Sequence, residues 1–290
     1  MARVRTSIAN LRREIDGIDD AIHDLLMKRA EIVEEIGQAK SRGGNAPFFR
    51  PAREAEIVRR LVKRTKGRLP AYAVARVWRE MVSAYSAIQG PFNVVVHAPE
   101  KSVGYWDLAR DHYGACTKMS LHRQANRVIS QVFDESTTVG VLELPQDDDT
   151  NPWWRHLLSD GEHMPRVVAK LPFIDDSRGR FENLGALAIA QAAQEKTGDD
   201  VSLIAVEVDA NLSRAKLTDG LVASGLPANI IAVWQDPASR ASRVCLVEIA
   251  DFVAPKNSRL ERFKKGMEAE ISRLVPLGGY AVPLGQVDNK

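Results

Sequence analysis

The residues best placed to do chemistry are charges standing where hydrocarbon belongs. Near the N-terminus Ile8, Leu11, Ile15, Ile18, Ile22 and Leu25 recur in alternating steps of three and four. The same rule continues through Arg29, Ile32 and Ile36, and a further step of four reaches Lys40. Arg29 and Lys40 are eleven residues apart, about three helical turns, so they share a face. Arg12 adjoins the seam residue Leu11, roughly 100° round the axis. Further on, Glu54 stands four before Val58, and Arg53 four before Ile57, so both are expected on a packed side. Gln89 stands four after Tyr85, on a stripe of Trp78, Met81, Val82, Tyr85 and Ile88. An unpaired buried charge costs several kcal/mol. Several cations beside one carboxylate and one amide do not neutralise themselves, so the missing partner is read as a small dianion. Arginine forks suit its carboxylates. A competing reading stays open on spacing alone: a long coiled-coil helix with two cations snorkelling from its seam.

Three helices must position these groups. Ser7 can cap the first, which is predicted to run to about Lys40 and to stop at the breaker "SRGGNAP". The second is predicted to begin at Pro51, a favoured first-turn residue, and to fade near "KGRLP". The third starts about Pro70 and ends before Gly90-Pro91, the clearest domain boundary in the chain.

This constellation resembles the all-helical (AroQ-type) chorismate mutases, often fused to prephenate dehydratase in phenylalanine biosynthesis. The resemblance rests on "LRREIDGIDDAIHDLLMKRAEIVEEIGQAK", "FFRPAREAEIVRRL" and "REMVSAYSAIQ", and covers residues 7–89. It implies an intertwined dimer of three-helix chains. Arg12 would reach a substrate carboxylate in the partner's pocket, and Arg29 one in its own subunit. Lys40 and Gln89 would hydrogen-bond the ether oxygen of chorismate, Arg53 would add positive potential, and Glu54 would take the ring hydroxyl. Two pocket positions depart from the family: Tyr85 stands where a serine is common, and Arg50 where some members carry an acid. The implied reaction, chorismate to prephenate, is an intramolecular rearrangement with no nucleophile, metal, cofactor or obligatory proton transfer. It asks for a flexible arm to be held over a ring and for positive charge beside a lengthening C–O bond.

The rest of the chain changes texture. "FNVVVHA", "CTKMSLH", "TTVGVLELP" and "PRVVAKLPFID" read as strands separated by helical stretches, including "DTNPWWRHLLSDG". That alternation predicts an α/β layer with a largely parallel sheet. The expected divisions are a mutase domain at 1–90, a dehydratase-like lobe at 91–175, a connector at 176–200 and an ACT-like domain at 201–290, with βαββαβ order. The connector is ambiguous: its alanines favour helix, while "RFENLGALAIA" also fits a strand. The family's dehydratase motifs are degenerate here. Its Glu-Asn-Ser loop reads Pro145, Gln146, Asp147, and "GRF" at 179–181 puts Gly179 in place of the catalytic threonine. The lobe is therefore read as non-catalytic. The ACT resemblance implies an amino-acid effector, but the altered turns "LSRAKL" and "VWQDP" argue against phenylalanine control and for simple dimerisation.

Other conspicuous residues take structural readings. Trp153-Trp154 is assigned to core or interface. "QDDDTN" is a solvated turn rather than a cation site, and the histidines show no metal spacing. A net charge of +2 over 290 residues gives no general attraction to nucleic acid or membrane. No apolar run reaches the roughly 18 residues of a membrane span, and the basic N-terminus lacks the apolar core of a signal peptide. Two distant cysteines fit a reducing cytoplasm. Two other functions stay open on the sequence: a feeble regulatory or scaffold protein, and a bifunctional mutase–dehydratase.

Overall fold

A computed structural model describes residues 7–43, 49–99, 104–147, 149–159, 161, 163–174, 184–238 and 241–285. The chain forms two compact units, residues 1–48 with 85–91, and residues 49–84 with 92–290.

The first unit is built on α1 (Ile8–Gly43) and the last turn of α3 (Ala71–Gln89). Ser7 caps α1 as expected: its Oγ accepts the Asn10 amide at 3.2 Å. Lys40 and Arg42 in the last turn complement the helix dipole. Gly37 lets the two helices close, since a Cβ there would lie 3.3 Å from the Gln89 Cα. The apolar seam of α1, Ile8 to Ile36, is 43–69% exposed in the single chain.

The second unit holds α2 (Pro51–Arg64), the rest of α3 and a nine-stranded sheet. Pro51 occupies the first turn of α2, and the chain ends that helix at Thr65, whose hydroxyl donates to the Leu61 carbonyl at 2.9 Å. Buried small and branched residues (Ala55, Val58, Val62, Ala71, Ala75) join α2 and α3 to Phe173. Ala71, Ala75 and Arg79 are buried on α3, and of the expected Trp78–Ile88 stripe Tyr85 is buried, Trp78, Met81 and Val82 are half-buried and Ile88 is exposed.

Strands β1 (Asn93–His97), β2 (Lys118–His122) and β3 (Thr138–Glu143) are parallel, with β1 in the middle. Helix α4 (Gly104–Tyr113) sets Tyr105, Leu108 and Tyr113 against Val94, Val96, Val139 and Val141. Helix α5 (Ala125–Asp134) sets Val128, Ile129 and Val132 with Val95 and Leu142 in a second cluster. Alternation along each strand thus assigns one face to each helix.

The expectation of a largely parallel sheet is corrected beyond these three strands. β4 (Arg166–Leu171) and β5 (Ala186–Ala190) run antiparallel to each other, and β5 is antiparallel to β3. Parallel neighbours need a crossover, usually a helix. The segment expected to supply one, around Trp153, forms only a 3-10 turn, Trp153–Leu157. Its two indoles are drawn into the core instead, as their structural reading expected, and the Trp153 Nε1–H donates to the Glu143 carbonyl at 3.0 Å. The alanine-rich span is a strand because β5 lies inside the sheet with every residue buried, where small side chains suit close packing on both faces. The "GRF" triplet lies outside the described residues.

The C-terminal elements follow the expected order: β6 (Asp200–Asp209), α6 (Arg214–Ala223), β7 (Ala228–Trp234), β8 (Ser242–Ile249), α7 (Ser258–Gly266) and β9 (Ile271–Ala281). These strands are antiparallel, and Leu217, Leu221, Leu260 and Phe263 cover one face. They are not a separate sheet. β9 meets β4 through one register pair, Val167 with Gly278, so all nine strands form one sheet. Among the described residues, no helix is long and apolar enough to cross a membrane.

Candidate active-site residues

Four of the expected residues form two pairs within the first unit. Lys40 Nζ donates to the Gln89 Oε1 at 3.1 Å. With the amide oxygen so engaged, its NH2 end is left as the donor end of the side chain. Three turns back along α1, the Arg29 guanidinium carbon lies 4.3 Å from the Tyr85 ring centroid. Tyr85 is fixed from its other end: its hydroxyl donates to the Leu26 carbonyl at 2.9 Å. The aromatic ring thus serves Arg29 as a platform. Arg29 Nη1 is buried and has no hydrogen-bond partner among the described residues. An orphan buried donor is costly, and a carboxylate ligand would satisfy it. Arg12, on the same helix, is exposed in the single chain.

The second unit carries the remaining three. Arg53 differs from expectation: it does not face a packed side but lies exposed, paired with Glu56 at 3.0 Å. At the first turn of a short helix, an i,i+3 pair in solvent competes with any inward rotamer. Arg50 grips the Glu195 carboxylate from Nε at 3.3 Å and from Nη2 at 3.0 Å. Glu54 is inward, as expected, but the space beside it holds a protein side chain. Arg79 on α3 donates Nη1–H to its Oε2 at 3.0 Å, and both side chains are close to fully buried. Burial pushes the Glu54 carboxyl up from its ordinary pKa, and Arg79 opposes that rise.

Spacing alone misses Arg79. The available signal is the step of four from Ala71 to Ala75 to Arg79, a line of small residues ending in a cation. In the acidic loop, Asp147 makes structural contacts. Asp147 takes the Arg214 Nη2 at 2.6 and 2.7 Å and the Val233 amide at 3.1 Å, and the Arg214 hydrogen bond holds its carboxyl below the usual range. Among the described residues, no group of three or more His, Cys, Asp or Glu is arranged to hold a metal ion.

Residues 11–90 match the family "Chorismate mutase type II". The bifunctional chorismate mutase/prephenate dehydratase of Stutzerimonas stutzeri is 28% identical over 152 residues, covering 51% of this chain and 41% of that protein. Its counterpart in Neisseria gonorrhoeae is 32% identical over 141 residues, covering 44% and 37%. The chain thus spans about two-fifths of the length of the curated relatives it matches. Among solved structures, prephenate dehydratase from Streptococcus mutans aligns with a TM-score of 0.45 at 13% identity, over 66% of this chain and 98% of that one.

Proposed function

We propose that this protein is a chorismate mutase, an isomerase that converts chorismate to prephenate by electrostatic preorganisation. The observation that carries the reading is the Lys40–Gln89 hydrogen bond, three turns from a guanidinium with an orphan donor, inside a segment that matches the mutase family. Arg29 binds one substrate carboxylate. Lys40 and the Gln89 amide face the ether oxygen, where negative charge grows as the C–O bond lengthens. Arg12 reaches a carboxylate in a partner's pocket, Glu54 accepts from the ring hydroxyl, and Arg53 adds positive potential.

The exposed seam of α1 supports a homodimer, because apolar stripes of this length seldom stay in water. Residues 201–290 serve as an ACT-like module that pairs chains and offers a site for an amino-acid effector. The dehydratase-like region is non-turning: Asp147, at a position of its degenerate loop, is held by Arg214 and Val233. A cytoplasmic location fits the free Cys116 and Cys245.

Purified protein is expected to consume chorismate, seen as loss of its ultraviolet absorbance, and to release no phenylpyruvate. Appearance of phenylpyruvate makes the chain bifunctional; no loss of chorismate turns the reading towards a regulatory or scaffold protein. Tyr85→Ser should raise KM for chorismate roughly tenfold, because Arg29 loses a stacking contact of about 1.4 kcal/mol. An unchanged KM would place Tyr85 outside substrate binding.

A further inference from the structure

Glu54 is the one carboxylate in the proposed substrate set, and its cation is supplied from within the chain. Arg79 Nη1 meets Glu54 Oε2 at 3.0 Å, with side chains 8% and 12% exposed. Oε1 accepts no hydrogen bond from the described residues. The Arg79 guanidinium lies over the Phe173 ring, 5.1 Å from its centroid, and Phe173 belongs to the segment that follows β4. The sheet region therefore closes over the pair. A small cleft of about 40 Å³ beside it is lined by Arg79, His112 and Phe173 among others, room for little more than water.

Every charged or titratable neighbour leaves Arg79 as the deciding partner. From α4, the Tyr113 hydroxyl is buried without a hydrogen-bond partner, and its packing on His112 is edge-on at 4.7 Å. Burial, with Arg79 nearby, drives His112 well below the usual imidazole range, so it adds no charge. Burial also raises Tyr113, which stays neutral. From α3, Arg76 is paired with Asp111 at 2.7 Å. From α2, Arg53 is paired with Glu56, and Arg59 lies over the Phe173 ring at 5.8 Å with hydrogen bonds to Thr197 and the Asp199 and Val282 carbonyls.

We propose that Arg79 is the positioning residue for Glu54: it keeps the carboxylate ionised in an apolar setting and, by occupying Oε2, leaves Oε1 to accept the substrate hydroxyl. This rests on the mutase reading. Burial alone favours the neutral carboxyl, and a protonated Glu54 is a weaker acceptor. The sign follows. Without the Arg79 cation the Glu54 pKa rises, so the acid limb of kcat/KM moves to higher pH, and activity returns as the pH climbs above it.

The test compares pH profiles of kcat/KM for chorismate in wild type, Arg79→Gln, Arg79→Lys, Glu54→Gln and the double variant Arg79→Gln/Glu54→Gln. Arg79→Gln should displace the acid limb upward by about one unit or more and lower kcat/KM at low pH by about tenfold, with recovery at alkaline pH. In the Glu54→Gln background the Arg79 change should move no limb. A loss that is equal at every pH, or a limb shift that persists without Glu54, overturns the proposal. Should Arg79→Gln not fold, Arg79→Lys carries the test: a single ammonium replaces the fork, so a smaller limb shift with raised KM supports positioning, and an unchanged limb and KM overturn it. If wild type fails to turn over chorismate, the mutase reading falls by itself. The Glu54 carboxyl carbon, titrated by NMR in wild type and Arg79→Gln, then still shows whether Arg79 sets its ionisation, and equal midpoints overturn that role.

Discussion

Lys40→Ala lowers kcat for chorismate by about 10²–10³-fold while leaving the helical circular-dichroism signal intact. The size follows from the kind of reaction. An intramolecular rearrangement draws its acceleration from holding the arm in place and from stabilising charge at the breaking C–O bond. Lys40 serves the second purpose twice. Its ammonium supplies positive charge, and its hydrogen bond holds the Gln89 amide by its oxygen, leaving the NH2 as the donor end. Removing it deletes one donor and frees the other to rotate. The cost to the fold is small, because Lys40 is half-buried in the last turn of α1 and its favourable interaction with the helix dipole is worth under about 1 kcal/mol. A chorismate absorbance assay beside a thermal melt measures both. Turnover within a few-fold of wild type, at unchanged fold, would remove Lys40 from the mechanism and with it the main support for the mutase reading.

What the sequence made legible was whatever is local. Ser7, Pro51 and the Gly90-Pro91 break act within one turn of the backbone they shape, so the helix ends fall close to expectation. Spacing puts Lys40 and Gln89 each on an inward face, but that the two belong together is what the family resemblance implies; the structure pairs them at 3.1 Å. Partnerships made across the fold were not legible. Glu54 was readable as an inward charge, but its neighbour comes from α3, twenty-five residues away, and no periodicity links them. Arg53 looked inward by spacing, yet Glu56, three residues on, draws it into solvent. The span around Ala186 was ambiguous because alanine suits a helix locally, and only its position between β3 and β4 makes it a strand. The joining of β4 to β9 depends on pairings more than a hundred residues apart, Val167 with Gly278 and, beyond the strand ends, Ile174 with Leu284.

That glycine yields the other large effect. Gly278→Ala should destabilise the second unit by roughly 3 kcal/mol or more. Gly278 has φ +99°, a conformation that side chains with a Cβ rarely adopt. An added Cβ would also overlap the Val167 carbonyl oxygen, stand 2.9 Å from the Val167 nitrogen and lie 3.0 Å from the Arg166 Cβ. These are backbone and near-backbone atoms, so no flexible side chain can swing aside. Val167 with Gly278 is also the register pair that joins β4 to β9, with one further parallel bridge, Ile174 with Leu284, beyond the strand ends, so strain there falls on a narrow junction between the two halves of the sheet. All five tryptophans lie in the second unit, so their fluorescence during urea unfolding follows this unit specifically. Gly266→Ala, at a helix end with open space around it, is the matched control and should shift the midpoint little. Equal midpoints for Gly278→Ala and Gly266→Ala would mean that the strands can separate at this junction without loss, and that the sheet is two independently stable halves rather than one.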